Sequence, residues 1–74
     1  MDMRKLVGQN VQRIRLKNGL TQERLSELSG FTQHYLSELE NGKRNPTAIT
    51  LYEIATALGV YPMELLRPPK GKKL

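Results

Sequence analysis

The stretch Thr21-Gln22-Glu23-Arg24-Leu25-Ser26-Glu27-Leu28-Ser29-Gly30-Phe31-Thr32-Gln33-His34-Tyr35-Leu36-Ser37-Glu38-Leu39-Glu40 decides the fold. It contains two short windows of helical periodicity separated by Ser29-Gly30-Phe31-Thr32. Both windows open on a threonine, whose hydroxyl can accept a hydrogen bond from a free N–H of the first helical turn. Both threonines follow an apolar residue that pairs with another five positions on: Leu20 with Leu25, and Phe31 with Leu36. That is the spacing of a hydrophobic staple, which fixes the angle at which the chain enters a helix. Gly30 stands where a left-handed residue closes a helix. The pattern predicts helices over 22–29 and 33–41, set at a steep angle by a tight turn.

The same punctuation recurs outward along the chain. Gly19, Gly42 and Gly59 each follow a helical segment, and Thr47 opens another. A first helix is predicted over Met3–Asn18, with Leu6 or Val7, Val11 and Ile14 inward. Leu25 and Leu28 should face inward in the second helix, and Leu36 and Leu39 in the third. A fourth helix over 47–58 should bury Leu51, Ile54, Ala55 and Leu58. A short fifth, starting with Pro62 at its first position, should bury Leu65, with Leu66 a second candidate. No run alternates at period two, so the expectation is an all-α, five-helix domain over residues 1–66. Residues 67–74 should form a basic, disordered tail, in which Pro68-Pro69 end the order and Lys70 to Leu74 are mobile.

Composition narrows the function by exclusion. A chain of 74 residues holds one domain, with little room for both a core and a deep pocket. Cysteine is absent and His34 is the only histidine, so neither a thiol nucleophile nor a multi-histidine metal site can be built. No nucleophile–base pair and no phosphate-cradling glycine loop is found, which argues against an enzyme, and with no effector domain read in the sequence neither a cofactor nor a small-molecule ligand is expected. No apolar run approaches the roughly 20 residues that span a bilayer. The N-terminus is polar and amphipathic, unlike a signal peptide, so a cytoplasmic location without membrane attachment is expected. Net charge is +5, but Arg67, Lys70, Lys72 and Lys73 lie in the tail, leaving eight basic and seven acidic side chains in residues 1–66. Total charge therefore says little about the folded part, and placement has to carry the argument.

Two short helices joined by a three-to-four-residue glycine turn form the helix-turn-helix pattern, here at helices two and three. Once Leu36 and Leu39 turn inward, Gln33, His34, Ser37 and Glu38 share the outer face, with Asn41 a turn beyond. Residues near the start of such a helix can reach base edges in the major groove of double-stranded DNA. A Gln33 amide can pair bidentately with adenine. His34 and Ser37 can meet a base or a phosphate. Glu38 can accept from cytosine N4, hold His34 one turn away, or repel unwanted sequences. Phosphate contacts are expected from Gln22, Thr21, Thr32, Arg13, Asn41, Lys43 and Arg44. Gln22 could also buttress Gln33. Tyr35 has two readings, packing on the fourth helix or reaching a phosphate with its hydroxyl.

Residues 7–66 resemble the lambda-repressor-like Cro/Xre family of bacterial and phage regulators. The resemblance rests on Val11-Gln12-Arg13-Ile14-Arg15, Gly19-Leu20-Thr21-Gln22, Leu36-Ser37-Glu38-Leu39-Glu40-Asn41-Gly42-Lys43-Arg44-Asn45-Pro46 and Ile54-Ala55-Thr56-Ala57-Leu58-Gly59-Val60. The chain's size and Tyr35-Leu36-Ser37 are also similar to small restriction–modification controller proteins. The resemblance implies a homodimer on a (pseudo)palindromic operator, with Gln22 ordering a phosphate contact. It also implies an Arg15–Glu40 ion pair tying helix one to helix three. Ser26 departs from the family's usual alanine; it is small enough to fit and can bond back to a carbonyl. Candidates for the dimer surface are Val60, Tyr61, Met63 and Leu66. A competing reading is a protein-interaction module, such as an antitoxin that also binds its own promoter, although the basic tail lacks the apolar residues of a toxin-masking arm.

Overall fold

A computed structural model describes residues 2–69. In order, the elements are α1 (Met3–Lys17), α2 (Gln22–Ser29), α3 (Gln33–Glu40), α4 (Ala48–Leu58) and a 3₁₀ turn, Pro62–Leu66. There is no strand among the described residues. The chain thus has four α-helices, and the expected fifth is a 3₁₀ turn. Its shortness explains this: Tyr61 supplies no capping side chain, and the segment closes instead through the Glu64 N–H donating to the Tyr61 carbonyl at 2.9 Å. Bonds from i to i+3 suit runs of only a few residues.

The helix starts follow the threonine pattern. Thr21, Thr32 and Thr47 accept from the N–H groups of Arg24, Tyr35 and Thr50 at 3.0, 3.0 and 3.1 Å. Asp2 caps α1 in the same way, accepting from Arg4 and Lys5. Desolvation pushes the Asp2 carboxyl up. The N–H groups of Lys5 and Arg4 and the charges of both side chains outweigh it, so it titrates below its ordinary value.

The helix ends are equally local. At α3 the Gly42 N–H donates to Leu39 O at 3.1 Å and the Lys43 N–H to Glu38 O at 2.9 Å. These paired bonds need a left-handed residue between them, and Gly42 supplies it with φ +75°.

Val7, Val11, Ile14, Leu25, Leu36, Leu39, Ile54, Ala55, Leu58 and Leu65 form one core, with Leu20, Phe31, Tyr35, Leu51 and Val60 packed at its edge. Two expected core residues stand outside it: Leu28 is 46% and Leu66 42% exposed. Leu28 lies in the last turn of an eight-residue helix that buries only Leu25. Leu66 ends the 3₁₀ turn, whose three-residue period gives the core Leu65 alone.

Two further features position α3. Gly8 lies where α1 crosses the end of α3. A Cβ there would overlap the Leu39 carbonyl oxygen and come within 2.8 Å of that of Glu40. The second feature is Asn10, which is buried and donates to Leu65 O at 2.9 Å and Arg67 O at 2.8 Å. Arg67, the first residue after the 3₁₀ turn, is thus tied to α1. Lys70–Leu74, expected as the mobile part of the tail, lie outside the described residues.

Candidate nucleic-acid interface

On α3, Gln33 and His34 are exposed and Ser37 and Glu38 half-buried; His34, Ser37 and Glu38 lie on the side away from the buried Leu36 and Leu39, and Gln33 flanks them in the first turn. Leu36 and Leu39 are wholly enclosed, so α3 cannot roll to present another face. The turn before it is pinned by the Ser26 hydroxyl, which donates forward to Phe31 O across the turn rather than back along its own helix. Ser26 thus adds a bond to the turn that an alanine could not make.

The base of α3 rests on a buried polar network. Arg15 donates from Nε to Glu40 Oε2 at 2.7 Å and from Nη2 to Oε1 at 3.0 Å, a bidentate pair almost closed to solvent. Its Nη1 donates to Leu20 O at 2.8 Å. Gln22 Nε2 donates to Glu40 Oε1 at 3.0 Å. One carboxylate thus joins α1 and the start of α2 to the end of α3, and Arg15 extends the network to the turn after α1. Gln22 supports α3 through Glu40, not by buttressing Gln33.

Glu38 is engaged as well. Its Oε1 accepts from Arg44 Nε at 2.9 Å, and its Oε2 lies 3.6 Å from His34 Nε2, an ion contact when the imidazole is protonated. The Arg44 guanidinium lies 5.0 Å above the Tyr35 ring, which stacks on Phe31 at 5.1 Å. Tyr35 thus lies between the staple residue and a loop arginine. Asn41 turns its amide back to Ser37 O at 2.9 Å, serving the helix end.

The expected flank of basic residues is only partly assembled here. Lys43 and Arg44 leave α3 directly and are exposed. Arg13 does not join them. Its guanidinium donates to Asn10 Oδ1 at 3.3 Å, beside the backbone that Asn10 holds after the 3₁₀ turn. Gly8 and Arg15 define the α3-facing side of α1, and Arg13, at about 100° per residue, falls well away from it. A basic residue that sequence reasoning missed lies closer: Lys5 sets its backbone and side-chain stem against Gly42 at the end of α3. Lys5 stands three residues, about one turn, before Gly8 on the side of α1 that meets α3, and that spacing is the signal that could have found it.

The proposed dimer residues divide. Tyr61 and Met63 are 75% and 63% exposed, whereas Val60 packs at the core edge. Ile49 and Tyr52, on the outer face of α4, are 73% and 61% exposed and were not anticipated. A signal was present, because Ile49 and Tyr52 fall outside the stripe of Ile54, Ala55 and Leu58, and a small core can bury only one side of a helix. No helix among the described residues is long and apolar enough to cross a membrane, and no group of metal-ligating side chains gathers there.

Comparison with known proteins agrees with this geometry. The helix-turn-helix family profile matches residues 11–65. The chain is 63% identical over 68 residues to an uncharacterized HTH-type transcriptional regulator of Sinorhizobium fredii, covering 92% of this chain and 88% of that one. The restriction-modification controller protein C.AhdI of Aeromonas hydrophila is 37% identical with a TM-score of 0.80, over 84% of this chain and 94% of that one. The controller protein C.Esp1396I, solved as a tetramer in complex with its natural 35-base-pair operator, is 29% identical. Its TM-score is 0.78, over 90% of this chain and 99% of that one.

Proposed function

This chain belongs to the helix-turn-helix family of DNA-binding transcriptional regulators, and from that premise we propose that it reads a specific duplex sequence with α3 in the major groove. The observation that carries the proposal is the fixed outer face of α3. Gln33, His34 and Ser37 point away from a core that locks the helix, and the Arg15–Glu40–Gln22 network braces its far end. Gln33 is the chief base reader, His34 and Ser37 read or steady neighbouring positions, and Lys43, Arg44 and Lys5 meet phosphates at the groove edge. Thr21, Thr32 and the backbone N–H groups at the start of α2 face the opposite phosphate strand.

The protein acts as a homodimer on a (pseudo)palindromic site, with half-sites about 34–36 Å apart. Support comes from the exposed Tyr61 and Met63, to which Ile49 and Tyr52 add a second apolar surface. A controller protein of similar fold, solved as a tetramer on its operator, also favours assembly on DNA. Sedimentation on DNA tests this, and a 1:1 complex would remove the dimer.

Selection from a random duplex library, followed by anisotropy titration, tests the reading itself. A shared half-site should emerge, and binding to it should weaken steeply with salt. Equal affinity for random duplex would overturn the proposal. Lys43→Ala should weaken binding to every sequence alike and flatten the salt slope by about one unit.

A further inference from the structure

We propose that Glu38 is a positioning residue for Arg44 rather than a reader of bases, so that Glu38, Tyr35 and Arg44 form one preassembled DNA-contact unit. This rests on the proposed docking of α3 and assigns a role within it.

An unmatched carboxylate on a DNA-facing surface is repelled by the phosphates it approaches. Glu38 is not unmatched. It spends Oε1 on the Arg44 Nε at 2.9 Å, and Oε2 faces His34 at 3.6 Å. The same residue also holds the backbone of the loop that carries Arg44, since Glu38 O accepts the Lys43 N–H at 2.9 Å. Glu38 therefore fixes both the path of the loop and the direction of its arginine.

The guanidinium is constrained on two sides. Its Nε edge is held by the carboxylate, and one face lies over the Tyr35 ring, itself stacked on Phe31. Of the Arg44 donors only Nε makes a side-chain hydrogen bond among the described residues, and the remaining donors of the fork are on its two Nη groups. The acceptor that fits is a phosphate oxygen at the groove edge. A side chain already held in place gives up less freedom when it binds. Such a contact forms well only in the docked register, whereas loose attraction to random duplex needs no fixed direction. Glu38 thereby raises discrimination while lowering general attraction.

The test compares dissociation constants for the duplex that the unsubstituted protein selects and for random-sequence duplex, at fixed salt. Glu38→Ala should reduce the ratio of the two about tenfold and leave the melting temperature within experimental error. Glu38→Gln keeps an oxygen that can accept from Nε and should recover part of the ratio; if charge alone mattered, the two variants would match. In an Arg44→Lys background, which keeps the charge but loses the held fork, Glu38→Ala should change the ratio less than about twofold. An equal loss in both backgrounds would show that Glu38 touches DNA directly and overturn the inference, as would an unchanged ratio in Glu38→Ala. Failure of the unsubstituted protein to prefer its selected duplex would overturn the proposed function itself, and the inference with it.

Discussion

Thr32 opens α3 and Thr47 opens α4 with the same bond, an N–H three residues on donating to the threonine hydroxyl at 3.0 and 3.1 Å. Each helix then buries a single apolar stripe, Leu36 and Leu39 in one, Ile54, Ala55 and Leu58 in the other. Their outer faces differ in kind. That of α3 carries only polar side chains, Gln33, His34, Ser37 and Glu38, whereas that of α4 sets the apolar Ile49 and Tyr52 beside Glu53 and Thr56. Their anchoring differs too. The end of α3 is fixed by a buried, bidentate ion pair to α1, while the end of α4 has one neutral side-chain bond beside its backbone bonds, Asn18 Nδ2 donating to Leu58 O at 3.0 Å. Base edges demand donors and acceptors placed within a few tenths of an ångström, and a directional network supplies that placement. Apolar association is non-directional and tolerates a helix held mainly by packing.

The largest expected effect would break the α3 side of this contrast. Glu40→Ala leaves Arg15 buried without its partner, so it should destabilise the fold by about 3–5 kcal/mol, read as a lower midpoint in urea. A loss under about 1 kcal/mol would mean that solvent reaches the pair. Gly8→Ala tests the same seat through the backbone. Alanine favours a helix, but its Cβ would overlap the carbonyls of Leu39 and Glu40. A net loss of about 1–3 kcal/mol is expected, and a stabilised variant would show that α1 and α3 can separate cheaply.

Exchanging the two outer faces sharpens the comparison. Gln33→Ala should cost about 1–3 kcal/mol in binding and relax preference at one base position, with stability unchanged. Tyr52→Ala should weaken self-association by about 1–2 kcal/mol in sedimentation while leaving the base preference intact. Altered base preference in the Tyr52 variant would mean that the division of labour is wrong. The smallest effect probes the shared device. Thr32→Ala and Thr47→Ala should each cost about 1 kcal/mol in thermal melts, nearly equally, because both remove one capping acceptor. Only the Thr32 variant should also weaken DNA binding.

The residues that sequence alone placed well belong to short-range patterns. Caps, left-handed glycines and staples act within five residues, so α2 and α3 were legible to within one residue at either end. The outer face of α3 follows from two leucines and a period of 3.6. Less legible was what each polar side chain would find. Arg13 and Arg15 are two positions apart in one helix, yet one meets Asn10 and the other Glu40. Nothing local separates them; family resemblance, not periodicity, suggested the second pairing.

By itself, then, the sequence determined where helices begin and end, which stripes turn inward, and that one helix of the central pair shows a polar face. Those outcomes depend on dihedral preference and periodicity, which act along the chain. Only the tertiary structure decided that Gly8 lets α1 touch the end of α3, that Gln22 serves Glu40, that Glu38 holds Arg44, and that α4 leaves Ile49 and Tyr52 exposed. These are meetings between residues of different elements, set by how the helices cross, and crossing geometry arises only when all the stripes pack at once.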